Sequence, residues 1–389
     1  MKAKRVAFPL RGSASWTGGY NYLVNLFRAL ECFQSGLIIP VLFCGDDALE
    51  EDVSTFSSIH NVEIVRSPVF NAGRLRIRTL KAILSGIDSE ALRLFQNEHI
   101  DAVFENAVFF GWRFPIPVIA WMPDFQHRRM KHLFSKQAYW KRELGFRAQI
   151  ASGRYLMLSS EDARHDCESF YPSAHGRTAV VRFSAPISDN LMVENPADVI
   201  DEYRLPEHFV YLPNQFWSHK NHALVIEALD LLKKKGVELV VVTTGNPLDP
   251  RSPGYYEDLI SRINQLGLQD NFRILGMVPR RHVISLMRVC GVLINPSLFE
   301  GWSSTVEEAK SLGVPMLLSD ISVHREQMGE GAIYFDPHDA NMLAKKLGEY
   351  SRPLPAQILA ARQISASSGQ YVIDFASDFT SLVAILTSY

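Results

Sequence analysis

The sequence predicts an α/β fold of two doubly wound, Rossmann-like domains facing across a cleft. Three observations carry this expectation. Short apolar runs alternate with longer segments of helical periodicity, the pattern of parallel βα units. The alternation stops over residues 184–206 and then restarts, which makes two series rather than one. The 389 residues also exceed what a single hydrophobic core usually holds.

In the first series, residues 5–9 (RVAFP) read as a strand, and residues 19–30 as a helix with Tyr22, Leu23, Leu26, Phe27 and Leu30 at helical spacing. Strands are expected at 37–44, 62–65, 102–105, 117–121, 155–159 and 178–182. Ser159-Ser160-Glu161-Asp162 has the composition of a helix start. Three prolines and scattered acids mark 184–206 as a linker.

The second series is cleaner. Strands are expected at 209–212, 239–243, 272–275, 292–295 and 315–318. Helices are expected at 222–232, 255–265, 281–288, 304–312 and 342–350. The helix from His222 runs into three lysines and Gly236, which suit a helix C-terminus. From Ala356 the chain reads helical, without strand alternation. The expected domains are therefore 1–184, 185–355 and a C-terminal helix, 356–389.

Charge and cysteine usage narrow the function. A net charge of −2 argues against a general nucleic-acid binder. Residues 1–184 carry 23 Lys and Arg against 18 Asp and Glu, and the rest of the chain 17 against 24. The first half thus suits an anionic partner, such as a membrane surface or an acidic acceptor, or it reflects ordinary variation between domains. The four cysteines form no C-x-x-C and no zinc spacing, so a reduced, metal-free, cytoplasmic chain is expected. The apolar run near the N-terminus is too short for a signal peptide, and no stretch approaches a membrane span.

Four constellations carry the chemistry, each following an expected strand. Open α/β sheets bind ligands at the carboxyl ends of their strands. The densest is Phe299-Glu300-Gly301-Trp302-Ser303-Ser304-Thr305-Val306-Glu307-Glu308. It opens a helix whose free N–H groups suit a phosphate. Glu300 and Glu308 suit the vicinal hydroxyls of sugar and ribose. Against this, Ser304-x-x-Glu307 and Thr305-x-x-Glu308 both fit a purely structural capping box.

The second is Asn214-Gln215-Phe216-Trp217-Ser218-His219-Lys220, where Lys220 either places a charge on a phosphate or is a solvated cation beside a helix start. The third is Trp16-Thr17-Gly18-Gly19, where glycines let the backbone approach a ligand or simply make a tight turn. It is neither G-x-G-x-x-G nor a P-loop. The fourth is Trp121-Met122-Pro123-Asp124-Phe125-Gln126-His127. Its Asp124 and His127 are candidates to position a hydroxyl nucleophile. Behind it, residues 128–142 interleave cations with Phe134, Tyr139 and Trp140. That pattern fits an interfacial helix on anionic lipid or a surface helix with snorkelling side chains.

Together these motifs resemble glycosyltransferase family 4, retaining enzymes of the GT-B fold, and its bacterial cell-surface polysaccharide members in particular. The likeness runs from Gly18-Gly19 to about Leu347 and is most specific in residues 214–222, 295–302 and 307–315. The resemblance implies a nucleoside diphosphate sugar as donor and a glycan or lipid-linked acceptor, with no cofactor. It implies that Glu300 contacts the donor sugar, Glu308 the ribose hydroxyls and Lys220 the diphosphate. It further implies that Gly301, Trp302, Ser303, Ser304, Thr305 and Val306 cradle sugar and phosphate, and that Gly18 and Gly19 approach the diphosphate. Met277 and Val278 fall where the base rests, and His127, or else Asp124, near the anomeric centre. Absence of Asp-x-Asp fits a reaction without a divalent metal.

Two departures are evident. Gln215 stands where a second basic residue is frequent, and Trp302-Ser303-Ser304-Thr305 replaces Phe-Gly-Leu-Pro. Three other functions stay open: a sugar-nucleotide epimerase, a non-catalytic glycan- or nucleotide-binding scaffold, and a dehydrogenase. The last lacks its glycine fingerprint.

Overall fold

The structure, a computed structural model, describes residues 2–10, 17–106, 108–351 and 369–388. The chain divides into two compact units, Met1–Ser184 with Gly369–Tyr389, and Ala185–Ser368.

The first unit holds a seven-stranded parallel sheet in the order β3-β2-β1-β4-β5-β6-β7. Its strands are β1 Lys4–Pro9, β2 Ile38–Cys44, β3 Glu63–Arg66, β4 Ala102–Glu105, β5 Val118–Met122, β6 Tyr155–Leu158 and β7 Thr178–Val180. Side chains of a strand alternate between faces. Val6, Phe8, Ile119 and Trp121 therefore meet the helices Thr17–Gln34 and Gln370–Thr387 on one face. Ala7, Ala120 and Met122 face the helices on the other. Phe8 contacts Phe27, Phe104 and Phe379 at centroid distances of 4.7, 5.2 and 5.9 Å. The C-terminal helix is thus built into this unit's core, while residues 352–368, which precede it, lie outside the described residues.

The second unit holds a six-stranded parallel sheet in the order β10-β9-β8-β11-β12-β13. Its strands are β8 Val210–Leu212, β9 Val241–Thr244, β10 Phe272–Gly276, β11 Val292–Asn295, β12 Met316–Ser319 and β13 Ile333–Phe335. From β8 the chain steps outward to β10, returns to β11 on the other flank, and steps outward again. Neighbouring β8 and β11 are thus the point where the winding reverses, and their following loops diverge there.

Several local expectations are corrected. Residues 184–206 are not only linker, since Pro196–Glu202 is a helix. Proline is suited to a first helical position, and Asn195 caps the end by accepting from Ala197 N–H. Gly18 and Gly19 lie in the first turn of the helix Thr17–Gln34, not in a turn before it. Trp16 lies outside the described residues.

The 128–142 segment is not one helix. Its chain passes through Gln126–Arg129, the 3-10 turn Lys131–Leu133 and a cap at Ser135 before the helix Lys136–Ala151. Arg129 pairs with Asp166 at 2.8 Å and Arg142 with Asp124 at 2.8 Å, so these cations serve the fold.

Candidate functional site

The site is built on the two strands where the second sheet reverses. After β8 the chain runs through Asn214 and Gln215 into a 3-10 turn, Ser218–Lys220. Asn221 follows in the left-handed region, with φ of 58°. Its side-chain amide donates to the carbonyls of Pro296 (3.2 Å) and Pro337 (2.9 Å). Leu298 N–H donates to His219 C=O at 2.8 Å. These bonds lash the loop after β8 to the loops after β11 and β13.

The lashing brings Lys220 Nζ to 2.6 Å from Glu300 Oε1. Both side chains are nearly buried, 12% and 9% exposed. Burial pushes the Glu300 carboxyl up, but the Lys220 ammonium outweighs it and holds the group at about 2. Glu300 is therefore an anion and a fixed acceptor. An ammonium has three N–H donors, and this contact uses one of them.

Around the pair lie three buried histidines, His219, His222 and His324. Burial, with the nearby Lys220 charge, lowers His219 to about 3. His222 is lowered to about 3 chiefly by burial. His324 Nδ1 lies 2.9 Å from the Ser319 carbonyl, and its ring is also shifted down by burial. The neighbourhood keeps these imidazoles neutral and the Glu300 carboxylate charged.

The loop after β11 enters the helix Ser304–Ser311. The cap is Ser303, whose Oγ accepts from Val306 N–H, so neither expected capping box forms. Ser303 Oγ also accepts from Asn295 Nδ2 at 3.1 Å, and Asn295 Oδ1 accepts from Asn214 Nδ2 at 3.2 Å. Strand ends, loop and cap thus share one hydrogen-bond chain. Glu307 is held by Lys310 (2.8 Å) and Gln327 (3.0 Å), an interior role. Ser304 is exposed and Gly301, Trp302 and Thr305 are half-buried at this helix start, whereas Val306 packs into the core. A helix N-terminus leaves its first N–H groups without intrahelical partners, and here the Ser303 cap takes that of Val306.

Glu308, one turn in, accepts from Arg280 at 2.7 Å. Arg280 opens the helix after β10, directly behind Met277, which is exposed, and Val278, which is half-buried. Sequence reasoning missed Arg280. A cation in the first turn of a helix opposes the dipole, and that is the signal that could have exposed it. Gln215 has a structural use, since its Oε1 accepts from Asn246 N–H at 2.6 Å. Beside it Gly245 cannot carry a side chain, because a Cβ would collide with the Asn214 backbone. A cavity of about 590 Å³ opens past β12 and β13, lined by Leu298, Asp320 and His338 among others.

Of the first-unit candidates, Gly18 borders open space and Gly19 is buried. Asp124 follows β5, accepts from Gln126 N–H and pairs with Arg142. His127, a candidate to position a hydroxyl nucleophile, is 0% exposed. It packs among Tyr139, Phe134 and Phe146, with Nε2 3.2 Å from Glu143 Oε2. Its other nitrogen is buried without a partner. In this arrangement His127 braces the turn.

Residues 202–352 match the family described as glycosyl transferases group 1. O-antigen chain mannosyltransferase B of Escherichia coli is 27% identical over 92 residues, 23% of this chain and 24% of that protein. Serotype-specific mannosyltransferase WbdA of Escherichia coli is 27% identical over 218 residues, 54% of this chain and 24% of that protein. The chain thus spans about a quarter of the length of these curated relatives. Among solved structures, HepE of Anabaena in complex with UDP and glucose superposes with a TM-score of 0.64 at 13% identity, covering 99% of this chain and 100% of that one. The two-unit architecture is therefore that of the GT-B glycosyltransferases.

Proposed function

We propose, from the premise that residues 202–352 form a group 1 glycosyltransferase domain, that the chain is a retaining hexosyltransferase using a nucleoside diphosphate sugar. The acceptor class favoured is the hydroxyl of a bacterial surface polysaccharide or lipopolysaccharide precursor, as the names of the mannosyltransferase relatives suggest. The observation that carries the reading is the Lys220–Glu300 pair at the reversal of the second sheet.

On this reading Lys220, with its remaining N–H donors, and the helix start at Ser304 hold the diphosphate and stabilise the charge it gains on leaving. Glu300 accepts hydrogen bonds from the sugar, and Glu308 from the ribose. The acceptor oxygen bonds to the anomeric carbon on the face the diphosphate leaves. The carbon–phosphate-oxygen bond breaks, and the acceptor proton passes to the departing phosphate oxygen. This differs from retaining hydrolases, which use a close carboxylate pair and a covalent intermediate. Asp124 and His127 shape the acceptor side, His127 through the packing of its turn.

The test is transfer from a panel of nucleoside diphosphate hexoses to a lipid-linked glycan, with the product's anomeric configuration read by NMR. Retention, and a rate reduced at least about a hundredfold in Glu300→Ala, is expected. Inversion, wild-type rates in the variant, or acceptor-independent conversion of the nucleotide sugar contradicts the proposal.

A further inference from the structure

The helix Leu75–Ser85 in the first unit is turned inside out. Its inward face carries Arg78, 3% exposed, whose guanidinium pairs with buried Asp88 at 2.7 Å, and Ala82. Its outward face carries Ile77, Leu80 and Leu84, which are 61%, 58% and 79% exposed. Spacings of three and four align these three in one stripe. Arg76 and Lys81 flank the stripe on opposite sides, and both are exposed, with Lys81 Nζ 3.9 Å from Glu90 Oε1. The helix end is extended by exposed Trp112, whose indole N–H donates to the Ile83 carbonyl at 3.1 Å. Arg113 follows, also exposed, and bonds the Ser85 carbonyl at 3.0 Å.

A second patch lies on the same face of the sheet. Leu75 packs on the cluster around Ala7 and Val103, and Ile150 of the helix Lys136–Ala151 on the cluster around Ala120 and Met122. Both clusters lie opposite the face that receives the C-terminal helix. The outer side of Lys136–Ala151 exposes Trp140 (54%) and Leu144 (60%) beside Lys136 and Lys141.

We propose that this helical layer of the first unit seats on an anionic lipid surface, with Ile77, Leu80 and Leu84 entering the acyl boundary and the flanking cations meeting lipid phosphates. An apolar stripe bordered by Arg and Lys, with tryptophans at its margin, has the chemistry of an interfacial helix. Charge selects this occupant over a second copy of the chain, because a two-fold contact would set the flanking cations against one another. The contact belongs to the first unit and needs nothing from the Lys220–Glu300 site. It keeps the membrane expectation but moves its centre from residues 128–142 to 75–85.

The test is co-sedimentation of the full chain with phosphatidylcholine vesicles, with and without phosphatidylglycerol. Binding to the anionic vesicles at low salt is expected, with a loss of about tenfold or more in Leu80→Glu/Leu84→Glu, whose changes are at exposed positions. An unchanged circular dichroism spectrum and thermal midpoint confirm that the variant is folded. Wild-type protein left in the supernatant, equal binding to both vesicle types, or undiminished binding by the folded variant overturns the proposal. So does a wild-type dimer in light scattering that the variant dissolves. Nucleoside diphosphate binding, measured separately, reports on the donor site alone.

Discussion

Lys220 and Glu300 are eighty residues apart in the chain and 2.6 Å apart in the fold. Adjacent strands β8 and β11, and the bonds from Asn221 and Leu298 across their loops, impose that meeting. A buried pair contributes little net stability, but an orphaned member is costly. Lys220→Met is therefore expected to lose about 3–5 kcal/mol in urea unfolding at pH 7, and Lys220→Met/Glu300→Gln to regain most of it. The single variant's deficit shrinks as pH falls, because the unpaired carboxyl then takes up a proton. A single variant as stable as wild type would show that the pair is not formed.

Acid sensitivity follows from the same neighbourhood. His222 is held at about 3, well below its ordinary value near 6.5, so the unfolded chain binds more protons between those limits. Its contribution is full above about pH 6.5 and lost as pH falls toward 3. Glu300, held at about 2, contributes fully above the ordinary carboxylate range and loses this as pH falls through that range. Both slopes have one sign. His222→Phe, which preserves stacking on Phe216, should flatten stability against pH between about 6.5 and 3. An unchanged slope would show that this ring is protonated in the fold.

Arg280 orients Glu308 from the end of the third strand of the second unit. Arg280→Ala leaves Glu308, only 9% exposed, without this partner and should cost about 1–3 kcal/mol of stability. It should also raise KM for the donor several-fold and leave kcat nearly unchanged. A fall in kcat at constant KM would assign Arg280 to the transfer step.

The C-terminal helix is structural. Phe379 is fully buried against Phe8 and Phe104. Phe379→Ala should cost about 3–5 kcal/mol in chemical unfolding. A loss below about 1 kcal/mol would mean that the helix is not docked.

Much of the architecture was legible because buried parallel strands read as unbroken apolar runs. Val292–Asn295 and the helix Tyr255–Gln265 are found where the pattern set them. The strand Ile333–Phe335 escaped, being three residues long between a glycine turn and Asp-Pro. Pro196 read as a breaker because its place as first helical residue depends on the Asn195 cap. Lys220 and Glu300 were both singled out, yet as separate ligand contacts. Their pairing is a product of strand order, which local pattern does not encode. The interior position of His127 depends on helix Lys136–Ala151 folding over it, again a tertiary matter.

The most direct test of the central claim is calorimetric titration of UDP, GDP and ADP into wild type and Lys220→Met at pH 7.5. One diphosphate should bind wild type, and the variant should bind it at least about tenfold more weakly, the loss of one charge-assisted contact. Equal affinity in both proteins, or no binding of any nucleoside diphosphate to wild type, would contradict the assignment of this strand reversal as the donor site.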